Sequence, residues 1–334
     1  MIEGHGDDLY LYKGKVRCNF SSNILGNVDH SGLMEWLAGQ PGLLSSYPEP
    51  SPESVERRLE EIHGLPCGTV LVTPGVTSAI YMIAGFFRGL RSYIEKPTFR
   101  EYEDACRMFG HIFTQPCDAD LTWVCTPCNP SGVAVGGGEE KEMFKKKIRD
   151  SKSVYVVDAA YSDYSVKSIM TPAEALELEN VLLLKSFTKR FSVPGLRLGY
   201  VVGAESVISD LKATRYPWSV GGMEIAAAHY LMDRRERYEI DAHGLNAEAR
   251  RVAGELEKMG LRTSRTDCNF FLATLPCGTA ASLKAWLVEK YGLLIRDAWN
   301  MTGNPVDLRI AVQTPDENTL LISAIKEWLS LFRF

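Results

Sequence analysis

Five short apolar runs constrain this chain more than anything else in it. TVLVT (69–73), LTWVC (121–125), SVYVVD (153–158), NVLLLKS (180–186) and LGYVVG (198–203) have strand length and almost no polar alternation. Strands of that kind are buried on both faces, which requires helices above and below the sheet. Helical segments do lie between them, among them TSAIYMIAGFFRGL (77–90) and, after the strand SYIEK, the amphipathic FREYEDACRMFG (99–110). The pattern predicts an α/β protein. From about Arg234 the texture changes. RRERYEIDAHGLNAEARRVAGELEKMG (234–260) reads as one long charged helix. It is followed by the strand CNFFLATL, a helix near 279–290, the strand VDLRIAV and a last helix, DENTLLISAIKEWLSLF, which together suggest a smaller α+β domain. GGG (136–138) reads as a loop and does not fit a dinucleotide fingerprint.

Bulk properties narrow the function. A length of 334 residues suits two domains. A net charge of −5 with no strongly basic segment argues against nucleic acid as a partner. No apolar run is long enough to span a membrane. The start, MIEGHGDDLY, is polar and acidic rather than a secretory leader, so a cytoplasmic location is expected. Eight cysteines show no disulfide-like spacing. Cys125 and Cys128 form C-x-x-C, but no second pair completes a zinc site. Pro130 and Gly132 turn the chain where a redox motif would open a helix, so no metal is expected.

Ligands of such a sheet bind at the carboxyl ends of its strands. The residues there are Pro74-Gly75-Val76-Thr77-Ser78, an anion cradle at a helix start; Asn129-Pro130-Ser131-Gly132; Asp158 followed by Tyr161; and Ser186 followed by Lys189. Arg197 stands eight positions after Lys189, beyond a Pro-Gly kink.

The segment SFTKRFSVPGLRLG (186–199) resembles the lysine segment of fold-type I pyridoxal-5'-phosphate enzymes, the aspartate aminotransferase superfamily. The resemblance implies a large cofactor domain with a mixed, mostly parallel sheet, plus a smaller α+β domain. It divides the chain into an N-terminal arm with part of the small domain (1–40), the cofactor domain (41–235) and the C-terminal small domain (236–334). It implies that Lys189 bonds the cofactor aldehyde and moves protons at the substrate carbon. Asp158 would face the pyridine nitrogen, and Asn129 and Tyr161 the 3'-oxygen. Val76, Thr77, Ser186 and Arg197 would bind the cofactor phosphate, and Phe99 would stack on the ring. Arg309 would bind a substrate carboxylate.

NFSSNILG (19–26) and SSYPEPSPESVERRLEEIHGL (45–65) are similar to the N-terminal region of histidinol-phosphate aminotransferases and their relatives. In that group the tyrosine corresponding to Tyr47 reaches the cofactor phosphate of the neighbouring subunit, which implies a homodimer with shared sites. His5-Gly6 is similar to the start of threonine-phosphate decarboxylases of cobalamin side-chain synthesis, which implies substrate-binding roles for His5 and Asn23 and a small phosphorylated amino acid as substrate. The expected reaction is decarboxylation of L-threonine O-3-phosphate to aminopropanol phosphate. Amino transfer, as in histidinol-phosphate aminotransferase, is the alternative, and a cofactor-binding sensor is the non-enzymatic one. Two positions depart from the pattern: Cys128 precedes Asn129 where a second asparagine is usual, and Ser78 replaces an acidic residue.

Overall fold

The structure, a computed structural model, describes residues 8–12 and 14–332. Among the described residues the strands form three sheets. The largest has seven strands in the order β2-β8-β7-β6-β5-β3-β4. They are β2 (Val70–Thr73), β3 (Arg91–Ile94), β4 (Ile112–Phe113), β5 (Leu121–Cys125), β6 (Val154–Asp158), β7 (Val181–Ser186) and β8 (Gly199–Val202). All pairings are parallel except those of β8, which runs antiparallel to both β2 and β7. The five apolar runs therefore became buried strands of this sheet, four of them interior and β2 at its edge.

Alternate side chains of those strands enter two different cores. Leu182 and Leu184 pack with Ile80, Ile83, Ala105 and Leu211 on one face. Val181 and Leu183 pack with Ile148, Ala175, Ala228 and Leu231 on the other. Each such buried leucine or valine contributes about 1.5–3 kcal/mol. Removing either helical layer would expose a whole face.

A four-stranded antiparallel sheet, β12-β13-β10-β9, comprises β9 (Arg262–Thr263), β10 (Phe270–Thr274), β12 (Arg296–Asp297) and β13 (Asp307–Ala311). Leu308 and Ile310 enter a core formed with the helices Ala242–Glu257, Ala280–Tyr291 and Pro315–Ser330. β1 (Cys18–Asn19) pairs in parallel with β11 (Leu293–Leu294), which ties the N-terminal segment to this part of the chain.

Two local expectations change. The charged stretch after Arg234 is not one helix: a 3-10 turn, Arg235–Tyr238, is followed by a break and then the helix Ala242–Glu257. Asp241 starts that helix by accepting a hydrogen bond from the Gly244 N–H at 2.8 Å, and an aspartate at that place competes with continued helix. The glycine triplet is not wholly loop, because Gly138 opens the helix Gly138–Arg149. CTPC forms a turn in which Cys128 N–H donates to the Val133 carbonyl at 2.7 Å, and its cysteines are free thiols. Burial pushes the Cys128 thiol up, away from the reactive thiolate.

Candidate active site

Strand direction brings the site together. β2, β5, β6 and β7 all end at one edge of the sheet, and β8, being reversed, begins there. Thr73 and Ser186 both pair with Gly199, and Cys125 and Asp158 pair with each other. Residues just past the strand ends, and Arg197 just before β8, therefore meet in one cleft of about 340 Å³. Val76, Thr77, Phe99, Asn129, Asp158, Tyr161, Ser186, Lys189, Arg197, Asn23 and Arg309 all line it. Tyr47 does not; it is 89% exposed on the surface of its own chain, its ring 5.7 Å from that of Trp218 and tilted 52° to it. His5 lies outside the described residues.

One end of the cleft is built for an anion. The helix Gly75–Phe86 begins there with its N–H groups pointing outward. Gly75 has φ +81°, and a Cβ on it would stand 2.7 Å from Arg197 Nη2. Gly199 is constrained in the same way, since a Cβ there would lie 2.7 Å from the Val76 nitrogen. The two glycines let a guanidinium and a helix N-terminus close on one point, with Thr77, Ser186 and Thr188 beside them. Arg197 itself has φ +46°, a left-handed conformation that is uncommon away from glycine and found at functional turns.

The middle of the cleft holds Asp158, which is 5% exposed. Its Oδ2 accepts from the Tyr102 hydroxyl at 2.6 Å and its Oδ1 from the Ala160 N–H at 2.9 Å. Burial raises the carboxyl above its ordinary range, and Tyr102, the Ala160 N–H and the charge of Lys189 oppose that rise. Lys189 Nζ stands 5.4 Å from the Tyr161 ring centroid, and its carbonyl accepts from the Tyr164 hydroxyl at 3.0 Å. Burial also raises the Tyr161 phenol, which stays a hydroxyl donor.

The far wall comes from the second sheet. Arg309 on β13 is 6% exposed and donates from Nη1 to Asn129 Oδ1 at 2.6 Å; its Nη2 donates to the Ser21 carbonyl. A guanidinium only donates, so the Asn129 oxygen must face it, which leaves the amide N–H₂ available as a donor to the cleft. Asn23 is buried, with its carboxamide near the Tyr161 hydroxyl but outside normal hydrogen-bond geometry to any described group.

Two residues of this neighbourhood escaped the sequence reading. Tyr102, on the helix Glu101–Met108, lay in a stretch read simply as amphipathic helix, although it stands three positions after Phe99. Arg296 on β12 is directly opposite Arg309 on β13, and both are buried. Directly opposite residues point to the same face of a sheet, and like charges so placed cost stability. No linear spacing reveals such a pair, because it arises from strand register.

The arrangement tests well against pyridoxal phosphate. An anion cradle, a buried carboxylate, an amide donor with a phenol, an aromatic wall and a lysine occupy one cleft, which suits a phosphorylated, aldehyde-bearing aromatic ring. The fold and this donor set define a pyridoxal-phosphate enzyme of fold type I. Residues 113–325 match the family model of aminotransferase class I and II, and the chain belongs to that family.

Several relatives are similar over nearly their whole length. The crystal structure of L-threonine-O-3-phosphate decarboxylase from Porphyromonas gingivalis is 30% identical with a TM-score of 0.89, covering 94% of this chain and 100% of that one. A Caldanaerobacter subterraneus protein provisionally named threonine-phosphate decarboxylase is 28% identical, over 96% of this chain and 93% of its own. A histidinol-phosphate aminotransferase from Desulfitobacterium hafniense is 26% identical, over 89% and 88%.

Proposed function

We propose that this enzyme decarboxylates L-threonine O-3-phosphate to aminopropanol phosphate. The observation that carries the reading is the guanidinium pair of Arg296 and Arg309, both residues buried and directly opposite each other in the second sheet, with Arg309 lining the cleft. A simple amino acid needs one such group for its carboxylate. A second suits a substrate with a second anion, and arginine is the side chain best matched to carboxylate and phosphate. The likeness to the P. gingivalis decarboxylase supports the same substrate. The aminotransferase alternative also handles a phosphorylated compound and is supported by the D. hafniense relative.

When bound, pyridoxal phosphate would supply an electron sink for the electrons released at the substrate α-carbon. Thr77, Ser186, Arg197 and the N–H groups at Val76 and Thr77 would hold its phosphate. Asn129 and Tyr161 would donate to its 3'-oxygen, Asp158 would face its nitrogen, and Phe99 would cover the ring. Lys189 Nζ would carry it between turnovers and deliver a proton to the α-carbon.

The choice of bond belongs to the residues that hold the substrate. One anchored carboxylate favours loss of the α-proton. Two anchored anions would fix rotation at the substrate α-carbon and so could present its carboxylate for cleavage in place of the α-proton. Lys189 would then supply the proton that takes the place of the departing carbon dioxide at the α-carbon. We place this chemistry in a cytoplasmic homodimer in which Tyr47 serves the partner's cofactor phosphate.

Arg296→Gln tests the two-anion reading. It should raise KM for phosphothreonine at least tenfold, about 1.4 kcal/mol, while cofactor affinity stays near that of the wild type. A variant with unchanged KM would remove Arg296 from substrate binding.

A further inference from the structure

We propose that Tyr102 is a positioning residue that keeps a proton on the cofactor's pyridine nitrogen instead of on Asp158. The proposal rests on the reading that Asp158 faces that nitrogen.

Asp158 and a pyridine share one proton, and it can sit on either partner. With the proton on nitrogen the pair is a carboxylate and a pyridinium. With the proton on oxygen both groups are neutral. In water the charged pair is well solvated. In a buried site it is not, and desolvation favours the neutral pair. Asp158 is buried deeply enough for this to matter. A neutral pyridine is a poor electron sink, so the location of the proton bears directly on catalysis.

The site has to counter desolvation with groups that favour the carboxylate. Each oxygen of Asp158 has one donor: the Ala160 N–H on Oδ1 and the Tyr102 hydroxyl on Oδ2. The tyrosine contact, at 2.6 Å, lies in the range of charge-assisted O–H···O⁻ bonds, which are about twice as strong as neutral ones. The other ionisable groups around Asp158 are Lys189, Tyr161 and Cys125. Burial keeps the Tyr161 phenol and the Cys125 thiol protonated, and Lys189 is committed to the cofactor. Tyr102 is the side-chain hydroxyl that acts on the carboxylate itself.

Its geometry is fixed by packing. Tyr102 is 1% exposed. Its ring lies 5.4 Å from that of Trp123 at 22°, and meets the ring of Phe99 edge-on at 5.8 Å and 84°. The same side chain thus braces the aromatic wall of the cleft and aims its hydroxyl at the carboxylate. Burial and the neighbouring carboxylate push the phenol well above its usual value, so it remains a donor across the working pH range.

Tyr102→Phe removes the hydroxyl and keeps the ring. The protein is loaded with pyridoxal phosphate carrying ¹⁵N in the ring, and the nitrogen shift is read by NMR. The wild type should show a protonated nitrogen. Tyr102→Phe should move the signal toward the unprotonated position, given by Asp158→Asn, and lower kcat about tenfold. Trp123→Phe disturbs the same packing but keeps the hydroxyl, and should leave the shift at the wild-type value. A cofactor-bound Tyr102→Phe protein with the wild-type shift would overturn the proposal. Equal movement in Trp123→Phe would also overturn it, because packing alone would then account for the effect. A wild-type shift that does not respond to Asp158→Asn would instead remove the underlying reading of Asp158, and the proposal with it.

Discussion

Burial acts on Asp158 and His63 in opposite directions. It raises the carboxyl of Asp158 and lowers the imidazole of His63, because in each case it disfavours the charged form. His63 hydrogen-bonds the Tyr200 hydroxyl at 2.9 Å. Burial, helped by the charges of Lys185 and Arg235 and opposed by Asp163, brings His63 from its ordinary 6.5 to about 4. Between those values the unfolded chain binds a proton that the native protein refuses. Stability therefore falls as pH drops through that window, and this group makes no difference above it. At about 1.4 kcal/mol per pH unit, reduced for partial exposure, the loss is roughly 2–3 kcal/mol. His63→Gln should flatten the dependence, so that denaturant midpoints at pH 7 and pH 4.5 lie closer together than in the wild type. An unchanged pH dependence in the variant would assign the effect to other groups.

The elements carry the cofactor cradle, and Gly75 is where they meet. Gly75→Ala combines an unfavourable φ of +81° with a Cβ 2.7 Å from Arg197 Nη2. The strain is of order 1–3 kcal/mol. Its relief should move Arg197, and a titration should show cofactor affinity weakened at least tenfold. Gly254→Ala, inside the helix Ala242–Glu257 with nothing beyond the local helix backbone within 4 Å of the new methyl, should bind cofactor normally and be slightly more stable. Equal behaviour of the two variants would mean that the close approach at Gly75 does not matter. The same scale explains what was legible in the sequence. Asn129, Asp158 and Lys189 follow closely on apolar runs, so strand ends could be read directly as site positions. Arg296 and Tyr102 lie within elements, and their partners are fixed by register and helix placement, which a linear pattern does not carry. The charged stretch from Arg234 misled because one polar composition continued across the break that Asp241 creates.

At the scale of the whole molecule, the exposed aromatic face is the feature to explain. Tyr47, Leu44 and Tyr216 are each more than 80% exposed, with the Trp218 ring tilted against that of Tyr47. Such apolar surface suits an interface. On the proposed function a second copy covers this face and Tyr47 serves the neighbouring cleft. Sedimentation should find a dimer with a buried interface on the order of 2,000 Å² or more. Tyr47→Phe should release cofactor faster without unfolding the protein. A fully active monomer at nanomolar concentration would exclude a shared site.

The reaction itself is tested most directly by following the carboxyl carbon. Phosphothreonine labelled with ¹³C at the carboxyl group is incubated with the cofactor-loaded enzyme, and gas and solution products are measured together. The account predicts labelled carbon dioxide and aminopropanol phosphate in equal amounts, with unphosphorylated threonine at least a hundredfold slower, about 2.7 kcal/mol for the lost anion. Retention of the label in solution, with efficient amino transfer from glutamate to imidazole-acetol phosphate, would contradict it and identify an aminotransferase.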